Sequence, residues 1–267
     1  MDRPDVRQHA TNLGIRAGDT LLVSGPCSIN VSILLAQLLK LLTPSGTLVA
    51  AGYRLERRTQ LSGDDLPVLP HITPDYASDG LSDLQAALWG HSDAIASGHP
   101  VYPFAAIGHN AEYITRNQPF QYPLGENSPM SKMHQLNGKI LTVGNFNGRD
   151  SVLPLAEVWS DLPYIRRSAM VCGFDSSWRQ MNGDLRCSQG YERMESILRQ
   201  ARIVRSTDVE GIPWQCGSIQ GIVSMGMELL KGDQTGLLCT NPDCEDCMEA
   251  RAMVRESTSL PSREREL

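Results

Sequence analysis

An α/β fold is what this sequence of 267 residues predicts, and three observations predict it. Thr20 to Ser24 is a short, mostly apolar run, Val31 to Leu42 is a leucine-rich stretch of helical length, and Thr47 to Ala51 is a second short run. Strand, helix and strand in that order make a βαβ unit, whose two strands pair in parallel. Two further apolar runs, Phe104 to Ile107 and Ile140 to Val143, alternate with helical stretches, the pattern of a sheet dressed with helices. An apolar content of 41% supports a sizeable core.

Each element has its own signals. Gly25-Pro26 ends the first strand, and Asn30 stands where it can cap the following helix. Leu34, Leu35, Leu38, Leu41 and Leu42 give that helix a broad apolar face, and Thr43-Pro44-Ser45-Gly46 stops it. Residues 54–79 hold Pro67, Pro70 and Pro74 among charges and read as a long irregular excursion, of a length that is uncommon and often functional. Leu81 to Trp89 and Ala111 to Arg116 are expected helices, residues 163–172 an extended pairing element, and Tyr191 to Ala201 and Val223 to Leu230 further helices. One domain is expected over residues 1–252, ending in a cysteine cluster, with a charged, serine-rich tail at 253–267 that frays.

Composition excludes several classes of function. The net charge is −6 with no basic cluster, so no nucleic acid partner is expected. No run of about 18 apolar residues exists, so no membrane span is expected. Met1-Asp2-Arg3-Pro4-Asp5 lacks the apolar centre of a signal peptide, which points to the cytoplasm. In that reducing compartment the seven cysteines read as thiols, metal ligands or a nucleophile rather than disulfides.

Two cysteine sites stand out. Cys239-x4-Cys244-x2-Cys247 has metal-ligand spacing, and three such thiolates hold zinc when a fourth ligand arrives from elsewhere. Cys187, in the polar turn Asp184-Leu185-Arg186-Cys187-Ser188, is the preferred fourth, with Cys216 and Cys172 as alternatives. An all-sulfur site of this kind is structural and pins a weak C-terminal segment; the alternative is an idle thiol cluster. Cys27 lies in the turn from the first strand to the first helix, at the carboxyl edge where ligands of parallel sheets gather. Backbone N–H groups at a helix start stabilise a thiolate, so Cys27 is a candidate nucleophile. Its competing role is simple packing under the helix.

Several blocks, in order, resemble the aminoglycoside 3-N-acetyltransferase family. They are Leu13-Gly14-Ile15-Arg16-Ala17-Gly18-Asp19-Thr20-Leu21-Leu22-Val23, Thr43-Pro44-Ser45-Gly46-Thr47-Leu48-Val49, Ser97-Gly98-His99-Pro100 with Phe104-Ala105-Ala106-Ile107-Gly108, Gly125-Glu126-Asn127-Ser128-Pro129-Met130, and Asp150-Ser151-Val152-Leu153-Pro154-Leu155-Ala156-Glu157. The last block corresponds to the family's Asn-Thr-x-x-His-x-Ala-Glu, whose histidine is the general base. Ala156-Glu157 are kept, but Pro154 stands in the histidine's place, and a proline side chain moves no proton. The resemblance covers about Leu13 to Leu238 and implies a mixed, largely parallel central sheet with helices on both faces.

The resemblance also implies a site. The family's Val-His-Ser-Ser-Leu turn helps hold coenzyme A; here it reads Val23-Ser24-Gly25-Pro26-Cys27, which makes Ser24, Gly25 and Ser28 the candidate cofactor-binding residues. His99, placed by its motif, is the candidate proton carrier beside Cys27, against the alternative of a structural histidine. Glu157 corresponds to the carboxylate beside the acceptor amine, and Asp150 to the family's asparagine, as a catalytic charge or a turn cap. Three functions are open at this point. One is an acyl transfer from a coenzyme A thioester, or from an acyl carrier protein, to a small-molecule amine, in antibiotic resistance or biosynthesis. A second is a thiol enzyme that forms or cleaves an amide, lactam or thioester through Cys27. The third is a non-catalytic binding protein of the same fold.

Overall fold

The computed structural model describes residues 6–25, 30–52, 81–144, 152–172, 177–182 and 187–259. The excursion at 54–79 lies outside the described residues. Its framework is a seven-stranded sheet: β1 (Thr20–Ser24), β2 (Thr47–Ala51), β3 (Ile95–Ala96), β4 (Phe104–Gly108), β5 (Lys139–Val143), β8 (Val204–Val209) and β9 (Ile212–Ser218), in the order β3-β4-β2-β1-β5-β9-β8. A separate ribbon pairs β6 (Ser168–Cys172) with β7 (Trp178–Asn182).

The expected βαβ unit is present. β1 and β2 are parallel, joined by α2 (Val31–Leu42), and Asn30 caps that helix by accepting from the Ile33 N–H at 3.2 Å. Mixed pairing is present too, but its parallel share is smaller than expected. Among the described residues only β1 with β2 and β1 with β5 run parallel; β4, β3, β9 and β8 all join antiparallel. The reason is local on one side. Glu210-Gly211, both at positive φ, turn β8 directly into β9, and a two-residue hairpin forces antiparallel neighbours.

Strict alternation along the strands builds two cores. Leu21, Val23, Leu48, Ala50, Ala105, Leu141, Val143 and Trp214 face α1 (Val6–Asn12), α2 and α3 (Asp83–Trp89). Leu22, Val49, Ala51, Phe104, Ala106 and Ile140 face the other layer, built from α4 (Ala111–Thr115), α5 (Pro129–Gln135), α6 (Leu153–Trp159), α7 (Arg193–Gln200), α8 (Ile219–Gly232) and α9 (Glu245–Ser259). Helices therefore cover both faces, as a sheet buried on both sides requires.

Three expectations change. The extended element over 163–172 is half a 3-10 turn, Pro163–Arg166, because Pro163 suits a helical first turn, and only then strand β6. The helix from Tyr191 starts as a 3-10 turn, Gln189–Glu192, before α7. The tail from 253 onward is helical as far as Ser259, with Val254 buried against the core, so its first turns are held by packing. Among the described residues no helix is long and apolar enough to cross a membrane.

Candidate active site and four-cysteine centre

The carboxyl ends of β1 and β5 meet at one point. Gly25 follows β1 at φ +112°, and a Cβ there would sit 1.9 Å from the Val143 carbonyl oxygen at the end of β5. Only glycine allows this approach. It brings the end of β1, with buried Ser24, against the end of β5, where the turn towards α2 and the stretch towards α6 begin. Those are the two segments the sequence singles out. Ser24 and Gly25 therefore sit at the expected edge, whereas Cys27, Ser28 and Asp150 lie outside the described residues.

α6 explains how Pro154 is tolerated. The proline occupies the first turn of the helix, where its missing N–H has no acceptor to serve. It is buried, as are Leu153, Leu155, Ala156 and Glu157. One turn on, the Glu157 side chain is held at both oxygens. The Tyr164 hydroxyl donates to Oε1 at 2.9 Å, and the Tyr191 hydroxyl donates to Oε2. A carboxylate with 8% exposure needs such partners. The two tyrosines come from separate 3-10 turns, 7 and 34 residues further along the chain. No spacing signal links either of them to Glu157, so sequence reasoning missed both.

His99 is corrected from proton carrier to structural pin. Its Nδ1 accepts from the Val101 N–H at 3.1 Å and the Tyr102 N–H at 2.9 Å, which leaves the proton on Nε2, 3.1 Å from the Phe120 carbonyl. Both ring nitrogens are committed to backbone, and the ring packs between Tyr102 and Phe120. Burial pulls its pKa down to about 4, against the Phe120 carbonyl, with the Arg179 charge adding to the fall. Ser97 of the same block works alike: its hydroxyl accepts from the Phe104 N–H at 2.8 Å and donates to Gln118 at 2.6 Å. The Ser-x-His-Pro block thus folds the connection into β4, because a tight buried turn must satisfy its own N–H groups.

The four cysteines expected together are together. The Sγ atoms of Cys187, Cys239, Cys244 and Cys247 all lie within 4.8 Å of one another, and Cys239 and Cys247 are buried. Cys216, one alternative fourth ligand, is instead a strand residue of β9 packed in the opposite core, where burial raises its thiol to about 12. Burial acts upward on Cys239 also, but the Cys247, Cys244 and Cys187 thiols and the Asn241 N–H converge on its sulfur and bring it down. The Arg251 guanidinium donates to the Cys239 carbonyl, placing a positive charge beside the cluster. Four sulfurs suit zinc, whose tetrahedral bonds of about 2.3 Å would set sulfurs ~3.8 Å apart, a small contraction from the observed spread.

The comparisons with known proteins agree with this architecture. The family model described as aminoglycoside 3-N-acetyltransferase matches residues 22–231. Aminoglycoside N(3)-acetyltransferase IV of Salmonella sp. is 31% identical over 160 residues, which are 57% of this chain and 57% of that relative. The match thus spans little more than half the length of that curated relative. Among solved structures, a mutant of aminoglycoside acetyltransferase AAC(3)-IVa in complex with a gentamicin superposes with a TM-score of 0.75 at 24% identity, covering 93% of this chain and 96% of that one. The complex of AAC-IIIb with CoASH superposes with a TM-score of 0.72 at 20% identity, covering 85% and 95%.

Proposed function

Because this chain belongs to the aminoglycoside 3-N-acetyltransferase family, we propose that it is an acyltransferase that acts on a small-molecule amine in the cytoplasm, in antibiotic resistance or biosynthesis. The amine nitrogen attacks the thioester carbonyl of coenzyme A or of an acyl carrier protein; an amide forms, and the thiolate leaves and takes up the proton that the nitrogen sheds. The observation that carries this reading is the family match from β1 to α8, together with the Gly25 approach to Val143 at the edge where both candidate segments begin.

The roles follow from the chemistry of the groups. Backbone around Ser24, Gly25 and Ser28 would receive the thioester's phosphates at the start of α2. Glu157, already bearing two tyrosine hydroxyls, is held in one orientation, and we assign it to hold the amine. Asp150 is the carboxylate we assign to the amine's proton, the duty Pro154 cannot perform. Purified protein incubated with acetyl-CoA and an amine panel that includes gentamicin, apramycin and sisomicin is expected to release free thiol, and one product is expected to gain the mass of an acetyl group. No thiol release and no product with any amine, while coenzyme A or an amine still raises the melting temperature, would leave a binding protein and sink the enzyme.

Pro154 in the first turn of α6 favours one second reading, in which Cys27 carries the acyl group as a thioester before an amine or water takes it. Iodoacetamide at neutral pH, followed by peptide mapping, is then expected to label Cys27 ahead of the other cysteines. An unlabelled Cys27 removes the covalent route. We also propose one structural zinc at Cys187, Cys239, Cys244 and Cys247, supported by the convergence of four sulfurs from separate parts of the chain.

A further inference from the structure

The four-cysteine centre and the two tyrosines on Glu157 share the same supports. Cys187 lies two residues before the 3-10 turn Gln189–Glu192 that carries Tyr191. Inside that turn, Gly190 meets the backbone just before Cys239: a Cβ on it would lie 2.2 Å from the Leu237 carbonyl oxygen and 2.5 Å from the Leu238 carbonyl carbon. The Tyr191 turn is therefore pressed directly against the stretch of chain that delivers the second cysteine. The other tyrosine is tied from the far side of the same centre. Tyr164 sits in the 3-10 turn Pro163–Arg166, and the next residue, Arg167, bridges two carboxylates of α9, Asp246 at 3.1 Å and Glu249 at 2.9 Å. The Arg167 side chain is only 12% exposed, while Asp246 and Glu249 are 35% and 49% exposed, so solvent screens the pairs in part and they guide the packing more than they stabilise it. Asp246 adjoins Cys247, and Cys244 immediately precedes α9.

From this we infer that the four-cysteine centre, once it holds its metal, is a clasp that positions Glu157. The inference rests on the zinc reading given above. Closing four Cys–metal bonds fixes the start of α9 against the Tyr191 turn in a single geometry. That fixes Arg167 through α9, and with it Tyr164. The two hydroxyls then hold the two carboxylate oxygens from opposite sides. Without the metal, only packing and the Arg167 pairs tie Cys187 and the Tyr164 turn to α9, so both arms would be held less firmly. The role is one of positioning, since four sulfurs would leave a tetrahedral metal no open coordination site.

The test labels the protein with 3-fluorotyrosine and assigns the Tyr164 and Tyr191 fluorine resonances with Tyr164→Phe and Tyr191→Phe, which are expected to keep one zinc per chain. Protein purified without added metal is expected to contain that zinc. Stripping it, or substituting Cys244→Ser, is expected to move both resonances. It is also expected to speed amide exchange at least tenfold in residues 153–166 and 187–200, with β1, β2 and β5 unchanged. Should Cys244→Ser fail to fold, Arg167→Gln tests one arm with the metal in place: the Tyr164 resonance moves and the zinc content does not. A zinc-bearing protein whose two resonances and exchange ignore removal of the metal overturns the clasp and leaves the zinc site standing. A folded protein with a zinc content near zero overturns the site and the clasp together.

Discussion

His99 shows how a residue in a catalytic-looking motif can be spent on folding. Three backbone groups depend on its ring, and removing the ring strands them in a buried site, each at a cost of about 1 to 3 kcal/mol. His99→Ala is therefore expected to lose about 3 kcal/mol of stability in urea unfolding. The pH dependence has a definite sign. The folded pKa, near 4, is below the unfolded value of 6.5, so the unfolded chain binds more protons between them. The ring's contribution is complete above pH 6.5 and is lost as pH falls towards 4, about 3 kcal/mol over the window. His134, also lowered by burial, acts in the same direction. In melting curves from pH 7 to 4, His99→Ala is expected to show a shallower fall than the parent protein; an equal slope would mean that the ring is not held neutral. Glu157 carries the complementary lesson. Its place was legible from the Ala-Glu pair, but its partners were not, because hydroxyl donors from distant turns leave no periodic trace.

Among the elements, the turn after β1 depends most on one position. Its glycine is required twice, by a positive φ and by contact with the Val143 carbonyl. Gly25→Ala is expected to cost about 3 kcal/mol or more, since the strained backbone and the overlap add. The movement should spread to the end of β5. The measurement is the urea midpoint together with amide exchange at Thr142 to Gly144; unchanged values would show that the strand ends do not press on each other. The elements that sequence reading recovered, β1, α2, β2, β4 and β5, are those with strong apolar periodicity or punctuation. Two of those it did not name show why. β8 has a mostly exposed, polar face, with Arg205, Ser206 and Asp208, and α9 is short of apolar residues, burying only Cys247, Ala250 and Val254.

For the whole molecule, the issue is how a polar C-terminal helix stays docked with so little apolar surface. α9 buries three side chains, which by area alone offset little of the entropy of ordering its 15 residues. The Arg167 pairs add to this attachment, and a metal at the four-cysteine centre would add more. A metal at that centre would contribute folding free energy directly, so its removal is expected to loosen α9 and the two tyrosine turns before the central sheet. The same segment would then link stability to Glu157, because Tyr164 lies in the turn just before Arg167 and Tyr191 in the turn just after Cys187.

By itself the sequence determined the short apolar strands of a sheet buried on both faces, the capped helix after the first strand, and the four cysteines that come together. Those features are carried by local periodicity, by turn chemistry, or by ligand residues frequent enough to be noticed. Tertiary structure alone decided that both His99 ring nitrogens are bonded to backbone, that Glu157 is gripped by Tyr164 and Tyr191, and that Gly25 must meet Val143. Each of these is a contact between segments remote in the chain, and the energy of such a contact depends on burial and on the direction of individual hydrogen bonds, which exist only once the chain has closed on itself.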